Sequence, residues 1–400
     1  MKHFVSAAVL AAGTLIAGLA GAPSPALAKN QIVLGLTFDK TGLYASTGRP
    51  TEIAVDIAVK EINDAGGING MPIKLVKFDT GGDPKQAVAA VRKFAEDDKA
   101  LAIIGPFSSS EARVAFPVGE REKIVQIPNA SSAPHLADRY SYAFRDTENE
   151  FLQFSRVVET LKKRNMLKKS VAIMYGTDDV VSKVVGLKIM KPILEKNGVK
   201  ITGPIGFQSK AFDLSPQVSQ LKGKKIDYVA VGGLVPVTIR VLKELRRQGI
   251  ETPLIGSQIW ADPEIIDKFG KDGDGSVFVT WFWYKRDARA KAFTAKFEEG
   301  IKKAGIKDKP FPHHVDAAAY DIVYILKDAM EAAKITGDPS KLKAERTKIR
   351  DTLGKLTYNG VVGKICFEKT GDAELPGYVI TMENSQWKLL DSYPAKTCAH

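Results

Sequence analysis

The chain has 400 residues, too many for one comfortable core and enough for two domains of ordinary size. Charged residues make up 26 %, and no low-complexity tract or heptad run occurs, which excludes a disordered or coiled-coil protein. The net charge of +12 raises nucleic acid as a partner. The excess, however, is spread over short pairs such as Lys168-Lys169 and Arg246-Arg247 at expected helix ends. That pattern reads as a solvated surface, with docking to an acidic or anionic-lipid surface as the lesser alternative.

The chain opens with Lys2 and His3, an apolar stretch from Phe4 to Ala22, and Pro-Ser-Pro before Ala26-Leu27-Ala28. This is the pattern of a secretory signal peptide cleaved after Ala28. A retained membrane anchor is the competing reading, and Pro23, Pro25 and the small-residue site oppose it. No cysteine follows the cleavage point to carry a lipid, so the mature protein is expected free in the periplasm. The two cysteines, Cys366 and Cys398, form either a disulfide or two buried thiols. Export favours the disulfide, worth roughly 3–4 kcal/mol by the chain-entropy model.

From the mature start, strand and helix patterns alternate. "QIVLGLTF" reads as a strand, and a helix from about Pro50 to Ala65 sets Ile53, Ile57, Ala58 and Ile62 on one face. "PIKLVKFD" alternates as a strand, and Asp83-Pro84 opens the next helix. "LAIIG" and "IVQIP" are short buried strands on either side of a serine-headed helix. After "YAFRDTENE" the plan starts again: a helix over Phe151–Arg164, then "SVAIMYG", "VKITGPIGF", "IDYVAVGG" and "TPLIGS", with helices between them. "SVFVTWFWY" reads as one long strand. Helices are expected over Ala288–Ala304, Val315–Ala333 and Leu342–Leu353, and short strands with a hairpin at the end. The expected fold is α/β: two lobes, each a parallel sheet flanked by helices.

In open parallel sheets a ligand binds outside the carboxyl ends of the strands, here the cleft between the lobes. "GPFSSS" and "IPNASSA" both fall at such ends. Gly105 permits close backbone approach. Ser108, Ser109 and Ser110 sit at a helix N-terminus, where backbone donors lack partners. Ala130, Ser131 and Ser132 add a second cluster. Plain N-capping would explain one such cluster, whereas two at neighbouring strand ends point to a carboxylate pocket. Two or three charge-assisted bonds at roughly 1.5–3 kcal/mol each, with apolar contact, reach the ~8 kcal/mol of a micromolar binder.

Reaction machinery is missing from the sequence. There is no dinucleotide turn, P-loop, H-E-x-x-H or nucleophile elbow. His313 and His314 are adjacent and make poor joint metal ligands. Asp178-Asp179 is a loop pair or a helix start. Binding is expected rather than catalysis, with no metal or cofactor. Turnover through Asp178, Asp179 or His314 is the competing reading.

The stretches "KTGLYASTG", "AVKEINDAGGINGMPIKLVKFDTGGDPKQAVAAVRKF", "IIGPFSSS", "IPNASSAP" and "YAFRD" resemble periplasmic substrate-binding proteins of ABC importers, of the branched-chain amino-acid type, over essentially the whole mature chain. The resemblance implies a type I periplasmic binding fold with three crossings, near Phe144–Thr147, Thr280–Trp283 and Leu356–Gly360. It implies an N-terminal lobe of residues 29–145 plus 283–357 and a C-terminal lobe of 146–282 plus 358–400, after the signal peptide 1–28. A monomer working with an ABC permease is implied, with no nucleic-acid partner. Carried over residue by residue, the carboxylate-binding serine falls on Ser109, the backbone contributor on Ala130, the second hydroxyl on Ser132 and the apolar wall on Phe107. Thr47 matches a further first-lobe contact, and Val180 and Leu234 stand near aromatic positions. Gln258 stands where amino-acid binders place an acid. A neutral amide does not balance a buried ammonium, so a small carboxylate without an α-amino group is expected. Trp281 and Trp283 share a strand face. They form either a packed core or, through Trp283, a flat wall suited to an aromatic acid. An amino-acid carrier and a ligand-sensing receptor subunit are the competing functions.

Overall fold

A computed structural model describes residues 1, 30–307 and 309–395. The expected signal peptide lies outside the described residues apart from Met1, as does Cys398 of the expected disulfide; Cys366 is buried on a strand.

The first lobe begins with strand β1 (Ile32–Phe38), helix α1 (Ala45–Asp64), β2 (Ile73–Asp79), α2 (Pro84–Arg92), β3 (Ala102–Ile104), α3 (Ser109–Glu122) and β4 (Val125–Ile127). The four strands form one parallel sheet in the order β2-β1-β3-β4. Helix α1 starts before the expected Pro50, directly after a 3-10 turn over Gly42–Tyr44. Asp83 caps α2 by accepting from the Lys85 N–H, with Pro84 in the first turn.

The second lobe runs through α4 (Glu150–Lys163), β5 (Ser170–Gly176), α5 (Val180–Val184), α6 (Lys191–Lys196), β6 (Lys200–Phe207), α7 (Ser215–Ser219), β7 (Tyr228–Gly232), α8 (Val235–Arg247), β8 (Leu254–Ile255), α9 (Ile265–Phe269) and β9 (Val277–Thr280). The chain then returns to the first lobe with α10 (Ala288–Lys303), α11 (His314–Ala332), α12 (Leu342–Leu353) and the hairpin β10 (Thr357–Asn359) and β11 (Lys364–Cys366). It finishes in the second lobe with β12 (Gly377–Glu383) and β13 (Gln386–Tyr393). Their tight turn is made by Asn384 and Ser385, both at positive φ. The second sheet has seven strands in the order β13-β12-β9-β8-β7-β5-β6, with β5 to β9 parallel and β12 and β13 antiparallel.

Two differences from the sequence reading bear on the site. The expected long strand through Tyr284 stops at Thr280, so Trp281 and Trp283 do not share a strand face. Trp281 and Phe282 pack into the first-lobe core, while Trp283 packs beside Tyr284 against the second-lobe core. The third passage between lobes comes after Leu375 rather than near Leu356–Gly360. Val361, Val362, Ile365, Phe367, Ala373 and Leu375 all pack into the first-lobe core, because the hairpin strands lie on it.

Candidate functional site

Gly105 ends β3 at φ +120°, and a Cβ there would lie 1.9 Å from Thr37 Oγ1. No other residue fits this backbone path. The chain then turns into α3, where Ser108 and Glu111 form a reciprocal cap: the Ser108 N–H donates to Glu111 Oε2 at 2.8 Å, and Ser108 Oγ accepts from the Glu111 N–H at 3.3 Å. The capping reading therefore holds for Ser108. Ser109 is different. Its Oγ accepts from the Ala133 N–H at 3.2 Å, joining the two hydroxyl-bearing loops, and this leaves its own proton available to donate.

Ser132 has the opposite polarity. Its hydroxyl donates to Glu150 Oε1 at 2.8 Å, so only lone pairs remain for an occupant. Glu150 opens α4 in the second lobe and is fully buried; its own N–H donates to the Ser132 carbonyl at 3.3 Å. Burial pushes its carboxyl up to about 7, against the pull of Ser257, Ser132 and Gln258. Glu150 is thus a second-lobe acid that stands behind the cleft wall and reaches it only through Ser132. An acidic residue at a helix start is so common a dipole and capping device that nothing in "TENEF" singled it out.

The facing loops line a cleft with about 620 Å³ of empty space, part of it open to solvent. Of the residues expected at the site, Thr47, Phe107, Ser109, Ala130, Ser132, Leu234 and Gln258 line it. Val180 and Trp283 do not, and their places are taken by Val181 and Trp281. Val180, the first residue of α5, turns instead onto the cluster around Ala112 and Phe116 of α3. Trp283 lies 4.9 Å from the Tyr284 ring, on the far side of the turn that ends β9. The amide of Gln258 donates from Nε2 to the Glu148 carbonyl at 2.8 Å, and its oxygen is buried.

Several lining residues were not anticipated. Tyr44 packs at 5.7 Å from Phe107 and donates its hydroxyl across the cleft to Asp179 Oδ1 at 2.6 Å. Asp179 also caps α5 through Ser182, so it is a helix start, and Asp178 accepts from Ser209. A further contact between lobes is the buried ion pair of Lys309 and Asp262. The Trp281 ring lies tilted at 46° against His314, centroids 3.7 Å apart, and His314 Nδ1 lies 3.0 Å from Thr280 Oγ1. Burial holds the imidazoles of His313 and His314 well below their ordinary pKa, so both are neutral. The lobes are drawn together by these contacts.

Arg145, from the "YAFRD" stretch, is completely buried behind the first-lobe loops. Its guanidinium donates to the carbonyls of Ser131 at 2.9 Å and Ala133 at 2.6 Å and forms a fork with Asp372.

The sequence matches the profile described as "Periplasmic binding protein" over residues 31–386. Among curated proteins it is similar to an "Amino acid binding protein" of Pseudomonas aeruginosa, at 27 % identity over 91 % of this chain and 93 % of that one. Among solved structures it is similar to a leucine binding protein from Thermotoga maritima (TM-score 0.77, 23 % identity, 91 % of this chain and 99 % of that chain). It is equally close in shape to a solute binding protein of an ABC transporter from Rhodopseudomonas palustris BisB5 in complex with 3,4-dihydroxybenzoic acid (TM-score 0.78, 18 % identity, 92 % and 97 %). At these identities the structures speak for the fold: two lobes of the type I periplasmic binding architecture. With the profile matched from the first strand to the start of the last, the chain belongs to the periplasmic binding protein family.

Proposed function

We propose that this protein captures a small carboxylate between its lobes outside the cytoplasm and delivers it to an ABC permease without chemical change. The observation that carries the reading is Ser109. Its hydroxyl proton is uncommitted because its oxygen already accepts from Ala133, and it stands in the first turn of α3. A free hydroxyl donor at a helix N-terminus suits a carboxylate. Phe107, Leu234 and Val181 supply apolar contact for the body of the ligand. Gln258 puts a neutral amide in the second-lobe wall, which favours an acid without an α-amino group, an aromatic acid among them.

A second reading, an α-amino acid, draws on Glu150. A buried carboxyl with Ser132 as its hydrogen-bonded extension presents acceptors where an ammonium would need them. Thermal-shift and calorimetric titration of the mature protein with matched acids decides between the two: leucine and phenylalanine against 4-methylpentanoate, 3-phenylpropanoate and benzoate. Binding of the plain acids with Kd in the micromolar range or below supports the first reading. Binding of the amino acids alone replaces it with the second. Binding of neither kind defeats the carboxylate assignment. Recovery of a bound acid chemically altered would defeat the transport reading.

A further inference from the structure

Behind the Ser108–Ser109 turn two carboxyl groups meet on one hydroxyl. Thr80, directly after β2, places Oγ1 at 2.6 Å from Asp39 Oδ1 and at 2.5 Å from Glu111 Oε1. Asp39 and Glu111 are both 0 % exposed, and Thr80 is buried with them. A threonine hydroxyl carries one proton, so it donates to only one of these oxygens. Bare oxygens do not stand this close, so at the other contact the proton comes from the carboxyl. One of the two acids is therefore protonated, and the pair holds a single negative charge. Burial, with Glu111 beside it, pushes Asp39 up to about 8, and burial raises Glu111 too. The charged groups that press on the pair are acids as well: Asp79 at the end of β2 and Asp83 at the cap of α2. Burial, then Asp179 across the cleft, Glu111 and Asp39 hold the Tyr44 hydroxyl well above its ordinary pKa. Lys40, Lys85, Arg113 and Lys183, on the elements around the pair, are all exposed.

The pair is wired to the binding turn. Glu111 Oε2 accepts from the Ser108 N–H at 2.8 Å, and Ser109, the proposed carboxylate donor, is the next residue. Asp39 Oδ1 accepts from the Gly82 N–H at 3.1 Å. A Cβ on Gly82 would lie 3.0 Å from the Tyr44 ring, which packs on Phe107. Loss of the shared proton would set two buried anions against each other across Thr80 with no counter-charge. Relief comes from moving Glu111, and with it the cap of α3. An anionic head group at the same turn adds a third negative charge and opposes that loss. We propose that Asp39 and Glu111 are positioning residues whose shared proton sets the Ser108–Ser109 turn for the ligand, so that carboxylate binding and retention of the proton favour one another. This rests on the carboxylate reading above and adds its proton linkage, with or without an α-amino group on the ligand. The coupling is reciprocal: a proton that strengthens ligand binding is itself held more tightly once the ligand is in place.

The test is calorimetric titration of the mature protein at pH 7 and pH 9 with whichever of benzoate, 3-phenylpropanoate, 4-methylpentanoate and leucine binds at pH 7. Wild-type affinity should fall about fivefold or more over this range. Asp39→Asn leaves a single acid in the pair, and its loss of affinity should be smaller than that of wild type by about threefold or more. Glu150 is common to both proteins and cancels from the comparison. Equal losses in wild type and Asp39→Asn would overturn the inference and leave the carboxylate reading intact. Glu111→Gln makes the same comparison if Asp39→Asn does not fold. If neither folds, wild type decides: affinity constant within twofold from pH 7 to pH 9 overturns the inference, and the full fall supports it. A second readout needs no ligand. The raised Asp39 stabilises the fold below its unfolded pKa, and that contribution is lost as pH rises through about 8. Asp39→Asn should therefore gain in melting temperature over wild type from pH 7 to pH 9, and a constant gap would show that no proton is shared. Should no acid bind at pH 7, the carboxylate reading has failed and the linkage with it, whatever the melting comparison shows.

Discussion

The two lobes share one plan and line the cleft unequally: its side-chain hydroxyls come from the first lobe, beside apolar Leu43, Phe107 and Val315, while the second is almost wholly apolar. Strands β1 to β4 and β5 to β8 pair in the same relative order, so the loops after β1, β3 and β4 face those after β5, β7 and β8. In the first lobe these loops bring Thr47, Ser109, Ala130 and Ser132 to the cleft; in the second they bring Val181, Leu234, Val235, Pro236 and Ile259, with Gln258 the exception. On the proposed reading, a repeated fold would hold a head group against the first lobe's hydroxyls and a hydrocarbon body against the second lobe's apolar wall. Polarity is not uniform even within the first lobe: Ser109 is left a donor and Ser132 an acceptor, each by what its other end touches.

The contrast can be broken, most severely, from behind the first lobe. Arg145→Ala should leave Asp372 and two loop carbonyls without their buried partner, at a cost of roughly 3–5 kcal/mol. Thermal unfolding should show a drop on the order of 10 °C; a change under 2 °C would show that the loops stand without it. Next is Ser109→Ala, expected to weaken carboxylate binding about 10- to 100-fold by calorimetry, in line with roughly 1.5–3 kcal/mol for a hydrogen bond to a charged group. A loss under threefold would remove Ser109 from the site. In the second lobe, Leu234→Ala should cost about tenfold, and should cost more for longer apolar bodies than for short ones. Equal loss for every chain length would place the body elsewhere.

Glu150 sharpens the comparison through pH. Its folded pKa, about 7, lies above the ordinary 4.5, so the folded protein holds this proton more tightly than the unfolded chain does. The resulting contribution to stability is full below about pH 4.5 and declines as pH rises towards 7. Glu150→Gln, which keeps the shape without the charge, should therefore gain in melting temperature over wild type on going from pH 5 to 8. A gap that stays constant would contradict the raised pKa. For a plain acid, wild-type affinity should fall as pH rises through 7, since ionised Glu150 repels it. For an amino acid, affinity should rise with pH up to about 7. Calorimetry at pH 5.5, 7 and 8.5 reads the sign, and Glu150→Gln should flatten either slope.

Much of the architecture was legible because alternating βα units write their periods plainly: β1, β2, β5 and β7 and helices α4, α10, α11 and α12 fall within a few residues of where the patterns put them. The first-lobe half of the cleft was legible for a related reason, since glycine and hydroxyl residues at strand ends have few other uses in that order. What was not legible depends on a single residue of phase or on a distant partner. Val180 and Val181 look alike in sequence, and only the start of α5 decides which one borders the cleft. The end of β9 at Thr280 is set by packing of Trp281 against the first lobe, not by any breaker residue. Glu150 became part of the site only through Ser132, 18 residues earlier.

The Arg145 fork ties Ser131 and Ala133 to Asp372, while the backbone of Arg145 itself pairs with Gly371 and Ala373. The first and third passages between lobes are therefore clamped to the loop that bears Ala130 and Ser132. Bending at those passages should carry that loop as a rigid seat instead of reshaping it. Slow, ligand-independent amide exchange across 130–133 would bear this out, and rapid exchange in the empty protein would refute it. A seat already cast before the solute arrives spends none of the binding energy on its own assembly, and leaves that energy for drawing the other half of the molecule shut.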